Sequence, residues 1–441
     1  MEFKVLEAKA KQRGIEEIEI YEVKTNGLEM TCFDGEIEQN TTSMTHVFCI
    51  RGVYNHQLAT VYTEKDDEES MDFVLDTIIR NAKMITKDEP YFIYGGDETY
   101  PVAPEKQTDF ETVSLADKVK ICQQVDALLK KKCPYVYKTE VSYAESTTAC
   151  HIQNNNHLNV SKENKRAYIV AELIVKKDDD VKTAYDYLLF HQMAELDLEA
   201  FTDKIIEDAV GQFGAESVLS GDYDIVLDRS AVRSLLQVYS SVFFATSVLK
   251  KMSFLEGKIG EKVFGDNITL IDDPLHPLAQ SFDTFDDEGV ATKTKTVVEN
   301  GVLKTYLHNL STAKQMDVTS TGNGFKADIN SPVSVQIDNF YLKPGTLTKE
   351  ELFASVGNGL YITDLEGLHA GVNLISGTYS LKASGYKITD GKKADPVTLI
   401  ILSSSFQDTF NKVFLLADDF EFRGSVGACS IALRNMPVSG K

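Results

Sequence analysis

Three adjacent carboxylates are the candidates for acid and base chemistry in the C-terminal half of this sequence. Asp286, Asp287 and Glu288 stand in the run Phe285-Asp286-Asp287-Glu288-Gly289, which follows Asp283 and precedes a β-like segment. Neighbouring carboxylates can supply the general acid and the general base of a hydrolysis, as they do in glycosidases. The same residues could equally decorate a loop or meet basic groups of a partner, and composition alone favours the loop.

His276 is the histidine with the most metal-like surroundings. It lies in the run Asp272-Asp273-Pro274-Leu275-His276-Pro277, whose two carboxylates and imidazole could coordinate a divalent ion. The two prolines instead favour a rigid surface turn. The eight histidines do not cluster and none is followed by glutamate, so a helical metallopeptidase motif with two histidine ligands and a glutamate base cannot be written.

The segment Gly322-Asn323-Gly324-Phe325-Lys326-Ala327 imitates a dinucleotide-binding fingerprint. It stands in a polar stretch among β-like runs and lacks the strand-to-helix context that such a fingerprint needs. A tight turn at the glycines is the better interpretation. The sequence also contains neither a G-x-S-x-G elbow nor a G-x-x-x-x-G-K-[ST] phosphate loop, which argues against two common hydrolase and nucleotide-binding designs.

The composition of the 441 residues is that of an acidic globular protein. Asp and Glu number 67 against 45 Lys and Arg, which gives a formal net charge of −22, and 43% of the residues are hydrophobic. Such a chain is a poor candidate for nucleic-acid binding, because that binding depends on Lys and Arg displacing counterions. The six cysteines include no C-x-x-C pair, which argues against a disulfide framework and a zinc ribbon.

Neither a secretory leader nor a membrane span is predicted. The first residues lack the basic start and the apolar run of a signal peptide, so we expect a cytoplasmic protein. The most apolar stretch, Ser234 to Leu249, is too short to cross a bilayer and contains Gln237 and several serines. We interpret residues 229–250 as one long buried helix, because apolar residues fall on every side of it.

The residue patterns predict an α+β fold that begins with an N-terminal α/β unit over residues 1–85. This unit has a helix at Val5 to Lys11, a strand that turns at Asn26-Gly27, a hairpin around Tyr54-Asn55-His56 and a helix that begins near Asp66. Residues 86–110 hold three prolines, Pro90, Pro101 and Pro104, and are expected to form a surface connection.

A central α/β unit is predicted over residues 111–220. Its first helix is capped by Ser114 and ends before Pro134. Alternating strands with a hairpin turn at Lys162 to Lys165 follow, and a second helix runs from Leu196 to Phe213. Over residues 221–441, glycines separate short β-like runs, a pattern typical of a mostly antiparallel β domain, here built around the long apolar helix.

Six ordered segments of the C-terminal half resemble the TldD/PmbA family of peptidase-related proteins, and within it the PmbA (TldE) branch. The segments are MSFLEGKIG at residues 252–260, FDDEGV at 285–290, ENGVL at 299–303, STGNG at 320–324, GLYIT at 359–363 and SGTYS at 376–380. Each segment alone is a weak signal, whereas six in order are fairly specific. The resemblance covers the N-terminal half by element order only.

The resemblance implies a heterodimeric protease that admits unfolded peptides to a cleft between its subunits. A TldD-type partner subunit would carry an H-E-x-x-x-H helix and a divalent metal, zinc, whereas the chain alone would form a homodimer. When the partner's helix is aligned with this sequence at Leu235-Leu236, its His, Glu and His correspond to Gln237, Val238 and Val242. These side chains cannot replace two imidazoles and a carboxylate, so no metal and no cofactor is expected in this chain.

The remaining residues that the resemblance singles out are expected to have architectural roles. Cys429 falls after the position of a third metal ligand in the TldD branch and is expected to be a small buried residue. Both branches share Asp286, Asp287, Glu288 and Gly289 and the turn Thr321-Gly322-Asn323-Gly324. Their presence in a branch without the metal site favours lining a cleft or fixing a dimer over catalysis.

Three hypotheses for the function follow. The leading one is a noncatalytic subunit that completes a TldD-type metallopeptidase acting on unstructured peptides. The first alternative is a self-sufficient hydrolase that uses Asp286, Asp287 and Glu288, with a metal that His276 helps to hold. The second alternative is a peptide-binding module that acts as a homodimer.

Overall fold

The computed structural model describes residues 1–86 and 93–441, and the N-terminal half of the chain folds around one large sheet. The elements of this half are α1 (Phe3–Gln12), β1 (Glu17–Phe33), β2 (Glu36–Tyr54), β3 (Gln57–Thr63), α2 (Glu68–Ala82), α3 (Leu115–Lys132), β4 (Val136–Asn154), β5 (Asn159–Lys177), β6 (Asp180–Phe190) and α4 (Leu198–Val210). The sheet is antiparallel with the order β3-β2-β1-β4-β5-β6. Strands from the first and the second predicted units therefore pair directly, through β1 and β4.

The C-terminal half contains shorter elements. They are β7 (Gly221–Leu227), α5 (Arg229–Tyr239), α6 (Ala245–Leu249), β8 (Leu270–Asp272), β9 (Lys295–Glu299), β10 (Val302–Leu303), α7 (Leu310–Gln315), β11 (Gly324–Phe325), β12 (Ser334–Val335), β13 (Phe340–Leu342), α8 (Lys349–Val356), β14 (Gly359–Glu366), β15 (Val372–Asn373), β16 (Thr378–Thr389), β17 (Lys392–Ser405), α9 (Phe406–Asn411), β18 (Val413–Leu416), β19 (Glu421–Arg423), β20 (Val426–Ala428) and β21 (Ile431–Ser439). One sheet has the order β10-β9-β8-β13-β20-β19, and β14, β7, β21, β17, β16 and β15 form another that β18 joins at β21. Most of the pairs are antiparallel, but β13 runs parallel to β20 and β14 runs parallel to β7.

The N-terminal sheet uses its two faces differently, because successive side chains of a strand point to opposite sides. Ile18 and Ile20 belong to a core that includes residues of α1 and α2. Tyr21, on the other face of β1, packs in a separate cluster with Phe285 from the C-terminal half. This second face brings the two halves of the chain into contact.

The α+β interpretation with antiparallel sheets is confirmed, and so are the helices with local start and stop signals. The side chain of Asp67 accepts a hydrogen bond from the Ser70 amide at the start of α2. Ser114 caps α3 in the same way through the Asp117 amide, and α3 ends at Lys132, before Pro134. The division into three units stays a prediction.

The prediction of one long apolar helix over residues 229–250 is wrong. Helix α5 ends at Tyr239, a 3₁₀ turn spans Ser240–Phe243, and α6 begins only at Ala245. Backbone bonds to Leu307 replace the helical ones here: the Leu307 amide donates to the Phe243 carbonyl at 2.9 Å and the Ala245 amide donates to Leu307 at 3.0 Å. Burial on every side is wrong for α5 as well, since Gln237 is exposed, whereas the bend after Tyr239 places Val242 and Phe243 in the core.

Two predicted hairpin turns are also wrong. Asn26-Gly27 lies inside β1, where Gly27 pairs with Ser43 of β2 and with Ser146 of β4, and the chain turns later, at Asp34-Gly35. A Cβ atom at Gly27 would lie 2.9 Å from the Ser43 hydroxyl, so the close approach of a neighbouring strand explains this glycine. Lys162 to Lys165 likewise lie within β5.

The hairpin around Asn55-His56 is confirmed, with both residues in the left-handed region. In the predicted connection, Pro90 lies outside the described residues, whereas residues 93–109 lie between α2 and a short 3₁₀ turn at Phe110–Thr112. No helix among the described residues is long and apolar enough to span a membrane.

Helix α5 should anchor the C-terminal core through its inner face. Leu235 is fully buried in that core, so we expect Leu235→Ala to lower the free energy of unfolding by about 2–5 kcal/mol. Gln237→Ala, on the exposed face of the same helix, serves as the control and should change it by less than about 0.5 kcal/mol. Urea unfolding monitored by circular dichroism measures both, and equal effects would contradict this assignment of the two faces.

Candidate functional site at the contact between the two halves

Asp286 accepts hydrogen bonds within a tight turn and from the glycine turn of residues 321–324. One carboxylate oxygen of Asp286 accepts the amides of Glu288 and Val290, both at 3.0 Å, and the other accepts the amide of Gly324 at 2.8 Å. The side chain is completely buried. Burial and the neighbouring Glu288 raise the pKa of Asp286 well above its usual range, although the three amides act in the opposite direction.

Glu288 is 5% exposed and ties this turn to the start of α7. Its Oε2 atom accepts the Leu310 amide at 2.8 Å, and burial raises the pKa of its carboxyl. A Cβ atom at Gly324 would lie 2.5 Å from the same oxygen, so glycine is required there for a close approach. The predicted tight turn at these glycines is present, with a positive φ at Gly322.

Asp287 bridges the N-terminal sheet and the C-terminal half. Its Oδ1 atom accepts the Tyr21 hydroxyl of β1 at 2.9 Å, and its Oδ2 atom accepts the Lys326 amide at 2.8 Å. Burial and the Asp287 charge raise the pKa of Tyr21, so this hydroxyl keeps its proton. The Lys326 ammonium lies 3.6 Å from the Cys49 thiol of β2 and donates to two backbone carbonyls.

Lys162 of β5 makes the second connection across the same contact. Its ammonium pairs with the Asp283 carboxylate and donates to the Phe285 carbonyl at 2.8 Å. Burial lowers the pKa of Lys162, but the charges of Asp283 and Asp287 outweigh burial and raise it overall. A buried lysine of one half is therefore held charged by carboxylates of the other.

Asn323 joins this turn to a polar group behind it. Its amide donates to Asp272 Oδ2 at 2.7 Å, and Lys295 contacts both the Asn323 carbonyl oxygen at 3.2 Å and Asp272 at 3.0 Å. Asp338 lies beside them with its Oδ2 atom buried and without a hydrogen-bond partner. Burial, together with Asp283 and Asp272, raises the pKa of Asp338 well above its usual range.

We call this set of side chains the carboxylate junction. Its members are Glu19, Arg51, Lys162, Asp272, Asp283, Asp286, Asp287, Glu288, Lys295, Lys326 and Asp338. Seven are carboxyls and four are cations, and a raised pKa marks three of the carboxyls, Asp286, Glu288 and Asp338. The four cations, and the backbone amides that donate to carboxylate oxygens, offset part of the cost of burying these groups together.

The positions registered on the metal-binding helix are not brought together in a site. Gln237 is exposed, Val238 is half-buried, and Val242 is buried in the core beyond the end of α5. Among the described residues, no three His, Cys, Asp or Glu side chains are grouped so that they could hold a metal ion. The residues present therefore do not fit a metal at this position.

Cys429 and His276 both lie in apolar surroundings. Cys429 is fully buried, and burial raises the pKa of its thiol to about 12. The His276 ring contacts Tyr341, Phe420 and Phe422, with ring centroids 4.9–5.8 Å apart, and its Nδ1 atom accepts the Leu278 amide. Burial lowers the pKa of His276, which favours its neutral form. The interpretation of this segment as a turn agrees with these contacts.

Several junction residues were not identified from the sequence. Asp272 was considered only as a companion of His276, and Lys162 was placed in a turn. Lys162 meets Asp283 across 121 residues, and no local pattern marks either Lys162 or Asp338 as half of a buried contact. The shared motif at residues 285–289 was the only usable signal, and it marked one side of the contact.

Asp286→Asn should destabilise the fold even though it preserves size. An asparagine would turn an NH₂ group toward a backbone amide that now donates to a carboxylate oxygen, leaving at least one buried donor without a partner. We expect the free energy of unfolding to fall by about 1–3 kcal/mol. Chemical denaturation measures this, with Asp179→Asn on an exposed turn as the control. Equal stability of the two variants would contradict the described hydrogen bonding.

Asp338→Asn should change the pH dependence of stability. Because the folded pKa of Asp338 is raised, its stabilising contribution is complete below the ordinary aspartate pKa and is lost as pH rises through the folded pKa. The asparagine side chain does not titrate, so the variant does not lose this contribution. The difference between its melting temperature and that of the native chain should therefore shift in favour of the variant from pH 5 to pH 9. Asp179→Asn should show a constant difference. A difference for Asp338→Asn that is independent of pH would contradict this assignment.

Three family models match successive parts of the chain. The description "PmbA/TldA metallopeptidase" is common to all three, with domain 1 at residues 18–82, the central domain at residues 108–213 and the C-terminal domain at residues 220–440. The last of these alone covers half of the sequence.

Curated relatives match over part of their length. A "Metalloprotease PmbA homolog" of Haemophilus influenzae is 27% identical over 301 residues, which are 67% of this chain and 63% of that protein. A "Metalloprotease" of Methanothermobacter thermautotrophicus is 32% identical over 251 residues, 56% of this chain and 54% of that protein. The chain thus spans between about half and two thirds of the length of these relatives.

Solved structures match over the whole chain. A putative modulator of a DNA gyrase from Thermotoga maritima superposes with a TM-score of 0.91 and 28% identity, covering 99% of both chains. TldE from Thermococcus kodakarensis superposes with a TM-score of 0.89 over 99% of this chain and 100% of that one. At 21% identity, the second match shows a shared fold.

Proposed function

Because the chain belongs to the PmbA/TldD metallopeptidase family, we propose that it is the noncatalytic PmbA/TldE-type subunit of a two-subunit metallopeptidase. In this proposal, a TldD-type partner subunit supplies the metal, expected to be zinc, and the groups that cleave unstructured peptides. The present chain completes the enclosure around the peptide and forms a homodimer when the partner is missing.

One observation carries the proposal. The positions that register on the partner's metal-binding helix are Gln237, Val238 and Val242, and the last of them is buried in the core. None of the three offers an imidazole or a carboxylate. Around them the family fold is kept, which is what a subunit with an architectural role requires.

The burial of the junction weighs against a self-sufficient hydrolase. Both oxygens of Asp286 accept backbone amides inside the protein, and Glu288 is 5% exposed with one oxygen on the Leu310 amide. A general acid or base must come within hydrogen-bond reach of the substrate. Of the three carboxylates Asp286, Asp287 and Glu288, only Asp287 has appreciable solvent exposure. Its two oxygens already accept hydrogen bonds from the Tyr21 hydroxyl and the Lys326 amide.

The test is a reconstitution with a TldD-type partner. The chain alone, the partner alone and their mixture are assayed with an unstructured fluorogenic peptide, and the metal content of each is measured. We expect the chain alone to be inert and without stoichiometric metal, and the mixture to form a stable complex that cleaves the peptide. Cleavage by the chain alone with one bound metal would overturn the proposal. A homodimer that binds peptide but not the partner would favour the peptide-binding module.

Glu288→Gln separates the proposal from the hydrolase alternative. Glutamine keeps a carbonyl oxygen for the Leu310 amide and cannot ionise, which suits a carboxyl whose pKa is raised. The reconstituted complex should therefore retain activity within about twofold, because the proposal gives Glu288 no part in cleavage. Loss of all cleavage, with folding and assembly intact, would instead support catalysis by the carboxylates.

A further inference from the structure

Three arginines surround a single carboxylate on the outer side of α5. The Nε atoms of Arg229 and Arg423 each lie 3.2 Å from Glu421 Oε2, and Arg233 Nη1 lies 3.8 Å from the same oxygen. One carboxylate carries one negative charge, whereas the guanidinium groups around it carry three positive charges. Counted against Glu421 alone, the three guanidinium groups leave a local excess of positive charge in a chain whose net charge is −22.

Two of the three arginines have further partners. Arg229 donates to the Asp419 carbonyl at 2.9 Å. Arg423 pairs with Asp186 of β6 and lies 4.5 Å from the centre of the Tyr187 ring. Asp186 is in turn shared with the Lys204 ammonium, so it does not offset the excess by itself.

Arg233 is the member without a hydrogen-bond partner. Its Nη1 atom is buried and unbonded, and the contact with Glu421 is too long for a hydrogen bond. Burial and the nearby Arg423 lower the pKa of Arg233, although Tyr187, Glu421 and Asp228 partly oppose this. Buried guanidinium nitrogens in native proteins are normally hydrogen-bonded, so Arg233 Nη1 has capacity left for an additional acceptor.

The Arg233 side chain is reachable from solvent along one stripe of α5. Arg229, Arg233 and Gln237 stand four residues apart, which places them on successive turns of the same helix face. The Arg233 side chain is 18% exposed, and Gln237 at the next turn is exposed. The Arg233 guanidinium therefore lies beside the position where the resemblance registers the partner's first metal ligand.

We propose that Arg233, supported by Arg229 and Arg423, binds the carboxylate of a peptide. A planar carboxylate matches the fork of a guanidinium group, and one negative charge suits the local excess. The doubly charged phosphate suits it less, since Glu421 and Asp186 are close by. The carboxylate could come from the C-terminus of a peptide or from an acidic side chain. The choice of a peptide as its source rests on the proposed function, whereas the anion site does not.

The test measures binding of three peptides to the full-length chain without any partner. The peptides share one neutral sequence and end in a free carboxylate, in an amide, or in an amide with one internal glutamate. Isothermal titration calorimetry should give binding of the free acid at least tenfold tighter than that of the amide. The third peptide tells whether a side-chain carboxylate suffices. Inorganic phosphate, added as a fourth ligand, should bind more weakly than the free acid.

Arg233→Gln and a matched control complete the experiment. The variant should bind acid and amide equally, whereas Arg80→Gln, which removes the same charge from the exposed face of α2, should keep the tenfold preference. Because Arg233 Nη1 is buried without a hydrogen bond and lies 3.8 Å from Glu421, Arg233→Gln should keep or raise the melting temperature without peptide. Arg233→Lys, which retains the charge but not the fork, should show a reduced preference and covers the case of a poorly folded glutamine variant.

Three results would overturn the inference: equal binding of acid and amide by the native chain, an unchanged preference in Arg233→Gln, or tighter binding of phosphate than of the free acid. A melting temperature lowered in Arg233→Gln with the preference retained would assign Arg233 a structural role only. None of these outcomes depends on cleavage by a reconstituted complex, so failure of this inference is distinguishable from failure of the proposed function.

Discussion

The burial of charge between the N-terminal sheet and the C-terminal half is the constraint on which the rest of the structure depends. Lys162 and Tyr21 come from the sheet, and Asp283 and Asp287 come from the loop that meets them. An unpaired charge at this contact would cost several kcal/mol, so both sides must be placed accurately. The turn at residues 321–324 holds the loop, and Gly324 leaves room for the Glu288 carboxyl.

The same constraint accounts for the structural contacts of Asp286, Asp287 and Glu288. Backbone amides and the Tyr21 hydroxyl donate to the carboxyl oxygens of this motif, and burial raises the pKa of Asp286 well above its usual range. On α5, Arg229, Arg233 and the exposed Gln237 stand on successive turns of one helix face.

Local signals in the sequence predicted local structure well. The caps at Asp67 and Ser114 lie next to the helices that they begin, and the fold class followed from the spacing of apolar residues and glycines. Asn26-Gly27 misled because a turn dipeptide can also lie inside a strand when neighbours on both sides impose pairing. The apolar run after Arg229 misled because composition shows burial and does not show where backbone bonds to Leu307 interrupt the helix. Only one side of the carboxylate junction could be predicted from the sequence, because Lys162 and Asp338 contact residues that are distant in sequence.

Hydrogen exchange of the native chain tests the central claim, that the carboxylates of residues 283–288 form a closed structural contact. The amides of Glu288, Val290 and Gly324 donate to Asp286 in the buried junction. Their exchange should be as slow as that of the amides of β9, which pair within the C-terminal core. Exchange of these three amides within seconds, while β9 stays protected, would show an open and accessible loop and would contradict the account.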